Sequence, residues 1–159
     1  MNNIEEMLDE LLEIALQARS CQVKKWKNAL IEGLSGFGKT SITEQWAEEK
    51  GIPLVSYDLS QDVSTIYEEN QFGILEPKKV EDPIVLAQQL IFSRLKKYKG
   101  GKDFILFLDD YHRALPDNIE AINYTIDTHK IVNPPTNEEI ELDNLLFTVA
   151  IKTTGAGIK

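Results

Sequence analysis

Cysteine is almost missing from this 159-residue chain: the lone Cys21 has no second thiol to pair with, which excludes an internal disulfide, and no Cys or His neighbours at a zinc-binding spacing. Histidine is nearly as scarce. His112 and His129 are the only two, neither has a ligand-type residue four positions on, and both are read as surface or helix-end residues rather than as metal ligands or catalysts. No apolar run reaches the roughly eighteen residues that a membrane span needs, and the N-terminus is acidic and amphipathic rather than basic and then greasy. A membrane segment and a secretion signal are therefore not expected, and a reducing cytoplasm is the expected compartment. Positive charge is in deficit, with 17 Lys and Arg against 26 Asp and Glu and a net charge of −9, which argues against a nucleic-acid partner held by the whole surface. Repeats and low-complexity tracts are absent as well. What remains, 42% apolar and 27% charged, is the composition of one soluble globular domain able to bury a sizeable core.

The first twenty residues predict a helix. Asn3 followed by Glu6 resembles a capping pair, and Ile4, Leu8, Leu11, Leu12 and Ala15 recur at helical spacing as a core-facing stripe. QVKKWK (22 to 27) reads as a solvated connector. Then comes GLSGFGKTS (33 to 41), placed between the short apolar run Ala29, Leu30, Ile31 and the helix formers of Thr40 to Lys50, which Gly51 ends. Strand, glycine loop and helix follow in the order a phosphate cradle requires. In GxxxxGK[ST], Gly33 and Gly38 let the backbone turn so that N–H groups point inward at phosphate oxygens, along the loop through Gly36, Phe37 and Ser41, and the helix N-terminus adds its partial positive charge. Lys39 is expected to meet the terminal phosphates of ATP, and the Thr40 hydroxyl to bind Mg2+.

Such a site needs a carboxylate at the end of a neighbouring strand. In DFILFLDDYHR, the run Phe104 to Leu108 suits a strand buried on both faces, and it ends in Asp109 and Asp110, a Walker B pattern in which Asp109 serves the magnesium shell. Together the two motifs identify a P-loop NTPase. IPLVSYDL (52 to 59) and NLLFTVAIKTT (144 to 154) predict further strands. EDPIVLAQQLIFSRLKKYKGG predicts a helix with Asp82 as N-cap, Pro83 in its first turn and Gly100 past its end, and PDNIEAINYTIDTHK a helix with Ile119, Ile122 and Ile126 on one face. Residues 60 to 81 and 131 to 143 read as loops, the second flanked by KIV and EIEL, which can pair as a hairpin. The expected fold is α/β, a doubly wound and mostly parallel sheet with its ligand at the strand C-termini, where Gly33, Asp58, Asp109 and Thr153 would lie.

LDDYHRALPDNIEAINYTIDTHKI resembles the Walker B segment and following helix of the MoxR-type AAA+ ATPases, with Arg113 and Ala114 matching the family pattern. YDLSQDVSTIYE is similar to the family's segment after its second strand, and FTVAIKTT to its fourth strand, so the resemblance spans roughly residues 28 to 154. It implies a three-layer αβα core over 28 to 159, preceded by an amphipathic helix and connector over 1 to 27. It also implies catalytic roles for Lys39, for Asp110 at the place of the water-activating Glu, and for Thr153 as the sensor 1 residue, with Lys152 or Thr154 if the register slips. The implied function is an ATP-binding and hydrolysing core that does conformational work on a protein partner, completed by a neighbouring subunit in a ring. Two departures stand out. Asp110 is one methylene shorter than Glu, and the sequence stops at Lys159, before the family's helical lid, so slow hydrolysis by the isolated chain is expected. The alternatives are a nucleotide-binding adaptor that does not hydrolyse and, with only Arg19, Arg94 and Arg113 to serve a lid, a small P-loop kinase. Arg113 itself reads equally as an ion-pair partner or as a contact to a neighbour's nucleotide, Trp46 as core, and Asp58 as a loop cap.

Overall fold

A computed structural model describes residues 3–34 and 38–154 of the chain. In chain order the elements are α1 (Asn3–Ser20), β1 (Ala29–Leu34), α2 (Lys39–Lys50), β2 (Leu54–Ser56), β3 (Thr65–Glu69), β4 (Leu75–Lys79), α3 (Pro83–Leu95), β5 (Phe104–Leu108), α4 (Pro116–Thr128), β6 (Lys130–Asn133), β7 (Glu138–Glu141) and β8 (Leu145–Thr154). They divide into two compact units, the first formed by the chain up to Asp58, Gly100–Arg113 and the chain from Asp143, the second by Leu59–Lys99 and Ala114–Leu142.

The first unit holds a wholly parallel sheet in the order β1-β8-β5-β2. All five residues of β5 and the first seven of β8 are buried, as near-continuous apolar runs in a parallel sheet require, with Thr148 the polar residue among them. The stripe of α1 and the inner face of α2 close the core: Leu8, fully buried, Leu11 and Ala15 cluster with Trp46, Ala47, Phe107, Phe147, Val149 and Ile151. Full burial of a leucine of this kind contributes roughly 1.5–3 kcal/mol. The two helices are also tied by polar contacts, the Trp46 indole N–H donating to Asp9 Oδ1 at 2.8 Å and Lys50 Nζ standing 3.2 Å from the same oxygen. Gly51 ends α2 in the left-handed region (φ 70°), where its N–H reaches back to the carbonyls of Ala47 and Glu48. Asn3 is helical, so it does not precede the helix as a cap. β2 covers only three of the eight residues expected of it.

In the second unit α3 packs on α4 and β6. Asp82 caps α3 by accepting from the Val85 N–H at 3.2 Å, with Pro83 in the first turn. The buried face of α4 is Asn118, Ala121, Ile122 and Thr125, so Ile119 and Ile126 flank the stripe rather than centre it. Asn118 Nδ2 donates to the carbonyls of Leu59 and Gln61, both at 2.8 Å. β6 and β7 pair antiparallel as the hairpin expected of KIV and EIEL. His129 is buried as the left-handed C-cap of α4 (φ 58°), a helix-end residue away from the surface.

The stretch expected to be a loop, 60 to 81, contains an antiparallel hairpin, β3 with β4. Its turn is built by Asn70, whose Oδ1 accepts the N–H groups of Phe72 and Ile74 at 2.8 and 3.0 Å, with Gly73 at φ 76°. The hairpin is invisible to a reading based on alternation because neither face is buried: β4 is exposed throughout, and Phe72 at the tip is 76% exposed.

Candidate functional site

The sheet register brings the strand ends of the first unit together. Gly33 of β1 stands opposite Thr153 of β8, and β5 pairs with β8 as far as Leu108 opposite Ala150, so Asp109 and Asp110 leave the sheet beside the same end of β8. Ser56 pairs with Phe107, which brings the exposed Asp58 to this end of the sheet as well.

Between β1 and α2, Gly38 takes the left-handed conformation (φ 70°, ψ 23°), which a side chain would disfavour. Among the described residues no side chain caps α2, and its N-terminal amides and positive dipole end are of the kind that an anion can bind. Lys39 is 7% exposed, and its ammonium donates to the carbonyls of Gly33 at 3.0 Å and Leu34 at 2.7 Å. A Cβ on Gly33 would come within 3.3 Å of Lys39 Cδ, so a side chain there would press on the lysine stem. Ser41 is exposed on the first turn of α2, while Gly36 and Phe37 lie outside the described residues.

Thr40, on the same turn, donates its hydroxyl to Asp109 Oδ1 at 3.1 Å. That carboxylate oxygen also accepts the Asp110 N–H at 2.9 Å, which fixes its orientation. Asp110 has φ 54°, a left-handed conformation that Asp tolerates better than most residues, and its carbonyl accepts the Arg113 N–H at 2.8 Å as the chain folds into a 3-10 turn over Tyr111–Arg113. From that turn His112 Nδ1 accepts the Thr153 N–H at 3.2 Å. Lys152 and Thr154 stand on either side, opposite Glu32 and Leu34. Arg113 is exposed and forms no ion pair among the described residues, so the ion-pair reading of this residue is not realised there. Arg19 pairs with Asp103 at 2.6 Å, and in the second unit Arg94 donates to Gln61 at 2.8 Å.

Two hard oxygen donors, a buried ammonium and an uncapped helix N-terminus thus converge from segments about seventy residues apart in sequence. Among the described residues no three His, Cys, Asp or Glu side chains gather into a metal cage. One hydroxyl and one carboxylate, both open to water, suit Mg2+, which keeps several waters and takes phosphate oxygens, better than Zn2+ or Ca2+. His112 is the site residue that sequence reasoning misses. Its contact joins positions 41 apart on two segments, and no spacing rule signals it.

No protein-family model matches the chain. Over 117 residues it is 29% identical to uncharacterized proteins of Staphylococcus aureus strains USA300 and NCTC 8325, an alignment that takes in 72% of this chain and 42% of theirs. The chain therefore spans less than half the length of these curated relatives. Among solved structures it is similar to two mutants of RuvB from Thermotoga maritima, with TM-scores of 0.54 and 0.53 at 18% identity, covering 94% and 98% of this chain and 39% of each RuvB chain. At that identity the likeness shows the fold alone, an α/β P-loop fold with a mostly parallel central sheet.

Proposed function

We propose that the chain is a Mg-ATP-binding AAA+ core of the MoxR type, residues 28–159 following an N-terminal helix and connector, that couples nucleotide binding and hydrolysis to work on a protein partner. The observation that carries the reading is the 3.1 Å contact between Thr40 and Asp109, which sets the two expected Mg2+ ligands side by side next to Lys39. Thr40 and Asp109 would hold the ion, which supplies charge neutralisation for the phosphates when bound. The amides at the start of α2 and the Lys39 ammonium bind and orient the phosphate chain. Asp110 and Thr153 stand at the strand ends where an attacking water is held and sensed, and their roles rest on the resemblance to the MoxR pattern. No helix among the described residues is long and apolar enough to cross a membrane, and the partner is taken to be a protein, either a neighbouring subunit of a ring or a remodelled substrate.

Titration with a fluorescent ATP analogue in the presence of magnesium tests the cradle. Binding by the wild type and its loss in Lys39→Ala is the expected result, and equal binding by the two proteins contradicts it. The second reading, an adaptor that binds nucleotide without hydrolysing it, is favoured by the short Asp110 side chain. Steady-state phosphate release separates the two.

A further inference from the structure

We infer that His112 is a positioning residue of this site: its imidazole holds the end of β8, and with it Thr153, in place against the carboxylate segment that follows β5. The inference rests on the nucleotide-site reading above and adds to it a residue that the motifs do not contain.

The reason is a gap in the sheet. β5 serves β8 as a pairing partner only as far as Leu108 opposite Ala150, because the chain then turns away at Asp109 and the left-handed Asp110. β8 continues to Thr154, so the Thr153 N–H extends past the last β5 pairing. A half-buried amide needs an acceptor, and His112 supplies one at 3.2 Å in the place where a further strand residue would stand. The backbone that carries the ring is itself held, since the 3-10 turn is closed by the Arg113 N–H on the Asp110 carbonyl. Asp110 and Thr153 are thereby linked through two residues of chain and one hydrogen bond. On its other side Thr153 is paired with Gly33, which accepts from Lys39. The Nδ1 acceptor requires the neutral tautomer protonated on Nε2.

The test uses the full chain with two substitutions. His112→Asn places an amide oxygen close to the position of Nδ1, and His112→Leu keeps bulk but removes the acceptor. Three quantities are read: exchange of the Thr153 backbone amide by NMR, affinity for Mg-ATP, and turnover. In His112→Leu the Thr153 amide should exchange about tenfold faster, as expected for one lost hydrogen bond. Turnover should fall about tenfold while Mg-ATP affinity stays within about twofold, the pattern of an interaction that matters after binding. His112→Asn should restore both, and the shift of the Thr153 amide on adding a non-hydrolysable Mg-ATP analogue should be present in the wild type and the Asn variant and lost in the Leu variant. Where His112→Leu does not fold, His112→Gln, whose oxygen lies one bond further out, replaces it with the same expected losses. A Thr153 amide equally protected without the acceptor, or equal losses in the Asn and Leu variants, overturns the inference. Failure of the wild type to bind Mg-ATP at all would instead strike at the site reading, and the amide measurement tells the two failures apart.

Discussion

At the scale of single residues, Lys39 shows how a charge can be nearly buried and still available. Both of its partners are main-chain carbonyls at the end of β1, neutral acceptors, and under the proposed function a phosphate would displace them because its negative charge adds a direct attraction to the ammonium that a carbonyl dipole does not supply. Asp109 and Asp110 are adjacent in sequence yet differently built, the first aimed at Thr40 and the second held at φ 54°. Asp109→Ala should therefore abolish the magnesium dependence of ATP binding, whereas Asp110→Asn, which keeps a side chain that tolerates the left-handed region, should leave binding nearly intact and lower turnover; calorimetry and phosphate release measure the two. The backbone also gives a physical reason for Asp at position 110. Asp110→Glu should cost about 1 kcal/mol in urea unfolding, because longer side chains fit left-handed backbone less well than Asp or Asn. That Thr40 and Asp109 would meet was legible in the sequence, because glycine spacing before a helix and a strand ending in carboxylates are local patterns. The His112 contact to Thr153 was not, because it depends on where β5 stops relative to β8.

At the scale of elements, α1 and α2 meet through Asp9 as well as through their apolar faces. Asp9→Ala leaves the indole N–H of Trp46, 2% exposed, without its acceptor, and should destabilise the chain by roughly 1–3 kcal/mol in chemical denaturation. The Trp46 hydrogen bond, and after it Lys50, hold the Asp9 carboxyl below its ordinary range. A carboxyl with a depressed folded pKa contributes stability that is present above its unfolded pKa, about 4, and is lost as pH falls through the folded value. Glu139 is held low in the same sense, first by the Tyr124 hydroxyl that donates to it at 2.6 Å. Stability should accordingly drop as pH is lowered from about 4, and Asp9→Ala should flatten part of that slope in acid unfolding curves. The buried strands and capped helices were readable because burial imposes a pattern on sequence. The β3–β4 hairpin was not, since exposed strands carry no alternation and Pro77 within β4 argues against a strand except at an edge.

At the scale of the whole molecule, the order β1-β8-β5-β2 makes neighbours of strands that lie far apart in the sequence, and this brings the end of β1, Gly33 and Leu34, beside the end of β8. Alternating strands and helices pointed to that parallel sheet, and the similarity to RuvB places it in the α/β P-loop class. Arg19 is bound to Asp103 and Arg94 to Gln61, whereas Arg113 is exposed and forms no ion pair among the described residues, which makes it the candidate to serve a second copy's nucleotide under the proposed function. Turnover by the isolated chain should be slow. Any rise in specific activity with protein concentration should vanish in Arg113→Ala without loss of ATP binding, since an arginine supplied in trans is worth roughly a thousandfold or more in phosphoryl transfer.

The central claim is that Thr40 and Asp109 act together on one Mg-nucleotide, and a double-mutant cycle tests it most directly. Calorimetric titration of Mg-ATP into the wild type, Thr40→Val, Asp109→Ala and the double variant should show each single change weakening binding about tenfold or more and the double change weakening it little further, the non-additivity expected of two ligands to one ion. In the presence of a chelator the four proteins should bind ATP alike. Additive losses, or wild-type affinity that is the same with and without magnesium, would contradict the account.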